Sequence, residues 1–345
     1  MKQLTKILLI SSLALSSCKK VIDISQDDAR RDLTVIFSGS TAEGLAPQTM
    51  RISRTDFVHF RLKQNAKITL YVDGQSVPVV PAQGDNAKGV YTLSHAFAPG
   101  QTATLRVEEG GDVVTAKAQV PQLPLLLDFD VEEVEEEASR GYGYRNLLWR
   151  VRMMDRAGES NYYRISATIQ PVYENVDTGE ELTLGAAQSV RFDGREDPII
   201  SEGRPQSGAN SDFDLNEILQ GSGFTNTYTA FSDVLFLDKE VELKLKSKPH
   251  DYHYPVYFAD PNSHTVVNVD GALTKVRYKY HRYTLSLHAT TEDMYRYLRT
   301  LGQASVNMDD TPFVAPIQIY SNISGGAGIF AINSVVTKTK LKRSN

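Results

Sequence analysis

The sequence predicts an all-β protein, mainly strands with one short helix. The expected architecture is an N-terminal immunoglobulin- or transthyretin-like β-sandwich followed by a larger antiparallel β-sandwich or partly closed barrel. Three observations predict it. Apolar and polar residues alternate with period two over short runs, as in Ile68-Thr69-Leu70-Tyr71-Val72 and from Leu147 to Met154. Turn residues such as Asp73-Gly74 and Glu108-Glu109-Gly110-Gly111-Asp112 separate the runs at hairpin spacing. One convincing stretch follows the helical period, just after residue 290.

The chain begins with Lys2 and Lys6, the apolar run Ile7 to Leu15, and then Leu15-Ser16-Ser17-Cys18. A positive start, an apolar core too short to span a bilayer and small residues before a cut are the parts of a secretory signal. Because the cut falls before the single cysteine, the segment resembles a bacterial lipoprotein signal, in which that cysteine becomes the first mature residue and carries acyl chains. Residues 1–17 are thus the expected leader, Cys18 the lipidation site and residues 18–31 a tether. One acyl chain anchors marginally, whereas two or three hold stably. Lys19 after the cysteine, in place of Asp, is similar to lipoproteins delivered to the outer membrane, so the expected location is that membrane, facing the cell surface.

Losing Lys2 and Lys6 moves the formal charge from −5 to −7, which gives no overall attraction to nucleic acid or anionic lipid. A lone cysteine excludes a disulfide within the chain. ATP and nicotinamide cofactors are not routinely supplied outside the cytoplasm, and no cofactor is expected.

Residues 32–122 form the expected first domain. Hairpin chemistry at Asp73-Gly74 is followed by strands at Gly89 to Leu93, Thr102 to Val107 and Val113 to Val120, and Pro121 and Pro124 close the unit. The acidic run Asp128 to Glu137 reads as a solvated linker or exposed edge rather than a calcium loop, because no glycine breaks it into ligand geometry.

Residues 123–345 form the second domain. Leu147 to Met154 and Asn161 to Ile169 are expected to pair as a long hairpin, and residues 195–226 to form a loop. Strands are expected at Val241 to Leu245 and Val266 to Val269. The apolar phase changes between Val276, Tyr278, Tyr280 and Tyr283, Leu285, Leu287, which places a β-bulge near His281-Arg282. Thr290 with Asp293 forms a capping box for a helix over 291–302. A final strand runs from Ile329 to Thr337.

Nucleophile-elbow, zinc-protease and phosphate-loop patterns are absent from the sequence. Asp212-x-Asp214-x-Asn216 opens like a calcium loop, but Glu217 occupies the required glycine position. His250 and His253 are metal candidates that need further ligands. Carboxylates suited to glycan hydrolysis are plentiful, and their pairing requires tertiary structure.

Near its end the chain carries Pro312-Phe313, Pro316, Ser321-Asn322-Ile323 and Gly325-Gly326-x-Gly328-Ile329-Phe330. With Cys18 followed by Val21-Ile22-Asp23-Ile24, with Asn161-Tyr162-Tyr163 and with the capped helix, these residues resemble the outer-membrane lipoproteins grouped as domain of unknown function 4249. The resemblance covers nearly the whole mature chain, and Ala327 departs from it in standing where a larger residue is expected. It implies a β-rich lipoprotein acting with a TonB-dependent outer-membrane receptor, and it carries no established reaction. Pro312, Phe313, Pro316, Asn322, Gly325, Gly326, Gly328 and Phe330 are expected to be structural, the alternative being a backbone nest for an anion.

Two functions follow as expectations. The first is a non-enzymatic accessory that captures or covers a small nutrient ligand for such a receptor, with tyrosines, Tyr252 and Tyr254 among them, and the loops 195–226 and 250–264 as the contact surface. The second is a surface glycan hydrolase, or a structural subunit of an outer-membrane complex.

Overall fold

The alternating runs become strands whose inward faces close two cores. A computed structural model describes residues 33–56, 59–63, 65–84, 87–136, 144–203, 226–247, 265–310 and 318–343. The first half comprises β1 (Leu33–Ser40), β2 (Gln48–Asp56), β3 (His59–Leu62), β4 (Lys67–Val72), β5 (Gln75–Val77), β6 (Val79–Pro81), β7 (Val90–Leu93), β8 (Thr102–Glu109) and β9 (Asp112–Gln119). The second comprises β10 (Leu125–Glu136), β11 (Tyr144–Met154), β12 (Tyr162–Asn175), β13 (Glu181–Thr183), β14 (Gln188–Ser189), β15 (Phe192–Asp193), β16 (Ala230–Ser232), β17 (Glu240–Ser247), β18 (Thr265–Val269), β19 (Ala272–Thr290), helix α1 (Glu292–Asp310) and β20 (Ala327–Lys342).

One long sheet runs β13-β12-β19-β20-β1-β2-β7-β6, and two four-stranded sheets, β5-β4-β8-β9 and β10-β11-β17-β15, face it. The fold is all-β and sandwich-like, and no sheet closes into a barrel among the described residues. In the first core Val35, Phe37, Met50 and Ile52 of the long sheet meet Leu70, Leu105, Val107 and Val114. The hairpin at Asp73-Gly74 forms as the sequence predicts, with φ of 49° and 79° matching the twist of its strands. In the second core Ile165, Leu285 and Leu287 meet Phe129, Val151 and Leu243 around Trp149, whose ring is fully buried and donates to Ser247 Oγ at 3.0 Å.

β20 joins the two cores. Its first half pairs parallel with β1, from Thr34↔Ala327 to Ser40↔Asn333. Its second half pairs antiparallel with β19, from Ala289↔Ser334 to His281↔Lys342. Side chains alternate across a strand, so one face of β20 serves both cores in turn. Phe330 and Ile332 fill the first, and Val336 packs on the second. Ser334 between them donates to the carbonyl of Pro121, where the chain passes from one sandwich to the other. The same face then carries Lys338, Lys340 and Lys342 to β10, where they bond the Leu127 carbonyl, Asp128 and Asp130. The acidic run therefore lies, as far as Glu136, on an edge strand on which Asp128 and Asp130 meet two of these lysines. Exposed pairs of this kind contribute about 0–1 kcal/mol each, so they close the seam more than they stabilise it.

Three local expectations shift. β11 and β12 do not form a hairpin: β11 pairs with β10 and β17, β12 pairs with β19, and the two face each other across the core. Alternation marks a buried face, and burial is satisfied equally by a neighbour in the sheet or a strand opposite. The extra residue in β19 is Lys279, since Val172 pairs with Tyr280 and Tyr173 with Tyr278. The helix is capped by Thr291, whose Oγ1 accepts from Met294 N–H at 3.2 Å, and it runs to Asp310. Asp293 instead accepts from Tyr320 Oη and Asn322 Nδ2. No helix among the described residues is long and apolar enough to cross a membrane.

Candidate functional site

After β16 the chain makes a tight turn, Asp233-Val234-Leu235-Phe236-Leu237-Asp238, before entering β17. Phe236 points inward and is 1 % exposed, packed 6.2 Å from the rings of both Tyr163 and Phe231. The other three apolar residues point out, with Val234 62 %, Leu235 50 % and Leu237 51 % exposed. A single exposed leucine is ordinary, but three such side chains on one turn form a patch that water does not favour.

The turn is held rigidly from beneath. Phe236 N–H donates to the Asp233 carbonyl at 2.7 Å, and Lys239 N–H to the Phe236 carbonyl at 3.0 Å. Asp155, 1 % exposed, accepts from Asp238 N–H at 3.0 Å, Tyr163 Oη at 2.7 Å and Asn161 Nδ2 at 3.2 Å. Asp233, 3 % exposed, accepts from Asn161 N–H. Asp238 takes a left-handed φ of 57° and its carboxylate accepts from Gly158 N–H at 3.3 Å. The segment Asn161-Tyr162-Tyr163 thus has a local reason. Asn161 ties both carboxylates, Tyr163 caps one of them, and Tyr162 packs 5.0 Å from the ring of Tyr295 on α1.

Asp155 and Asp233 are the kind of carboxylate pair that a hydrolase reading seeks. Burial pushes the pKa of Asp233 up against its bond from Asn161 N–H, and the charge of Asp155 pushes it the same way. Burial, then the bond to Asp155, pushes the Tyr163 phenol up. A raised carboxylic acid beside a second carboxylate suits acid–base work only where a substrate can reach it. These two lie under the turn and accept backbone and side-chain donors, so this pair clamps backbone and presents no reacting face.

The glycine segment is equally committed to the fold. Asn322 behaves as a short strand: its Oδ1 accepts from Phe330 N–H and its Nδ2 donates to the Phe330 carbonyl, each at 2.9 Å. Gly325 takes φ 79°. A Cβ at Gly326 would press into the carbonyl oxygen of Leu33, and one at Gly328, where φ is 107°, into that of Val35. The glycines therefore let β20 enter its ladder beside β1. Phe330 stacks on Phe37 at 5.5 Å in the first core.

Cys18, His250, Tyr252, His253, Tyr254, Pro312, Phe313 and Pro316 lie outside the described residues. Within them, no group of three or more His, Cys, Asp or Glu is placed to hold a metal ion. Several described tyrosines turn inward rather than toward a partner. Tyr91, for instance, bridges the Lys63 carbonyl and Ala66 N–H, both at 2.9 Å. Sequence reasoning missed Val234, Leu235 and Leu237. Their one signal is a four-residue apolar run between two aspartates, too short to show a period.

The family model described as Domain of unknown function (DUF4249) matches residues 19–339. The chain belongs to that family. The DUF4249 match spans the Asn161-Tyr162-Tyr163 segment, the 233–238 turn and the glycine segment together. No curated protein and no solved structure matches the chain.

Proposed function

We propose that this DUF4249 protein is a non-enzymatic outer-membrane lipoprotein that docks on an integral receptor through the 233–238 turn and captures or covers its nutrient ligand. Acylated Cys18 is the anchor, and a TonB-dependent receptor is the partner that the family resemblance suggests. The observation that carries the reading is the rigid turn, which leaves three apolar side chains in water while two buried aspartates fix its backbone. A preorganised apolar tip loses little entropy on docking, and such anchors supply most of an interface's energy. Tethering both partners to one membrane raises their effective concentration, so a small interface suffices.

The test is affinity purification of the tagged protein from outer membranes in mild detergent, beside a triple variant carrying V234S, L235S and L237S. We expect a receptor to co-purify with the unaltered chain and to be lost with the variant, while the thermal midpoint stays within about 2 °C because exposed substitutions change stability by about 0.5 kcal/mol or less. Equal recovery by both chains, or no receptor with either, would refute docking through this turn.

A further inference from the structure

Arg164 belongs to neither the turn nor the glycine segment. It lies on the outer face of the long sheet, directly opposite His288 across the β12–β19 ladder. On the same face the next pair in one direction is Tyr162 and Thr290, and in the other Ser166 and Ser286. Ser166 Oγ sits 2.8 Å from His288 Nε2. Two polar groups in this cluster are unanswered. Arg164 makes no ion pair among the described residues, and its Nε is sealed from water with nothing to donate to. Thr290 is 5 % exposed, and its hydroxyl is likewise buried and unbonded.

A guanidinium partly withdrawn from water, its Nε sealed, is unfavourable without a counter-ion. Burial pulls the pKa of Arg164 down, and the neighbouring Tyr228 phenol opposes it only in part. Unanswered charge beside unanswered hydrogen-bonding groups is what a site looks like before its ligand arrives. The charge balance selects the ligand. Burial, and then the charge of Arg164, push His288 down to about 4, so the imidazole is neutral at pH 7 and the cluster carries one positive charge. One charge matches a monoanion better than a phosphate dianion, and a guanidinium edge matches the two oxygens of a carboxylate.

We propose that Arg164 and Thr290, beside the Ser166–His288 pair, bind the carboxylate group of a small organic ligand. The site lies on the sheet face and not on the docking turn. Its test uses the purified chain without a receptor, so the two readings fail separately.

The experiment compares thermal unfolding of the purified chain in sodium acetate and in sodium chloride at equal ionic strength and neutral pH. Binding to the folded state alone raises the midpoint, and we expect a gain of roughly 2–4 °C in acetate at saturation. R164Q should abolish the gain while unfolding in chloride at an equal or higher temperature, because it removes a partly buried charge that has no ion-pair partner among the described residues. T290V, close in shape, should weaken acetate binding several-fold and gives a second route should R164Q fail to fold. Equal midpoints in acetate and chloride for the unaltered chain would overturn the proposal. So would an acetate response retained in R164Q, or undiminished in T290V.

Discussion

In the glycine segment, residues of the kind that often meet a ligand serve the fold instead. Gly326 and Gly328 make room for the carbonyls of β1, and Asn322 stands in for a strand against Phe330. The 233–238 turn does the reverse, for Asp233 is buried within it and Asp155 beneath it, both accepting backbone donors, while three of its four apolar residues face water. A residue's chemistry therefore does not reveal which side of the protein it serves. What separates the two segments is the company each keeps. β20 enters a ladder beside β1 and continues in one beside β19, while the turn joins β16 to β17 at the surface over two aspartates.

The largest effect should come from the glycine segment. Gly328→Ala forces a side chain against the Val35 carbonyl at φ 107°, and we expect a loss of about 3–5 kcal/mol in urea unfolding. A change under 1 kcal/mol would mean that β1 and β20 are not joined as described, and the contrast with the turn would collapse.

Asp155→Ala sharpens the comparison from the other side. It leaves Val234, Leu235 and Leu237 unchanged but strands the donors of Tyr163, Asn161 and Asp238. The expected loss is about 2–4 kcal/mol, accompanied by weaker receptor recovery at temperatures where the chain stays folded. Full stability with normal recovery would show that the turn needs no clamp.

A smaller effect probes β19, which carries both His281 and His288. Burial pushes each down to about 4, below the unfolded value of 6.5. As pH falls the unfolded chain takes up these protons first, so the stability due to neutral histidines is complete above pH 6.5 and is lost on the way to pH 4. His288→Gln should flatten the fall in stability between pH 6.5 and pH 5 by about 1–2 kcal/mol, read from urea midpoints at each pH. An unchanged slope would mean that His288 is not buried against Arg164.

Much of the fold was legible because period-two alternation and turn chemistry are local. Asp73-Gly74 bends wherever it occurs, and Trp149, Val151 and Met153 had to face inward together. The strand partners were not legible. The same inward face on β11 and β12 suits a hairpin or two facing sheets, and the second arrangement is the one formed. The candidate site was the least legible part. Val-Leu-Phe-Leu carries no sign that Phe236 goes in while its neighbours stay out, and nothing local ties Asp155 to Asp238 across 83 residues.

By itself, then, the sequence determined the β class, the inward residues of alternating strands such as β4 and β11, the turn at Asp73-Gly74 and the family. It also carries the expectation of an acylated Cys18, since a cleavage signal is a local string. Tertiary structure alone decided that one strand, β20, would complete both cores, that Asp128 and Asp130 of the acidic run would lie on an edge strand beside Lys340 and Lys342, and that Arg164 would have no ion-pair partner among the described residues. Burial, charge pairing and desolvation depend on which distant segments meet, and that information is spread over the whole chain.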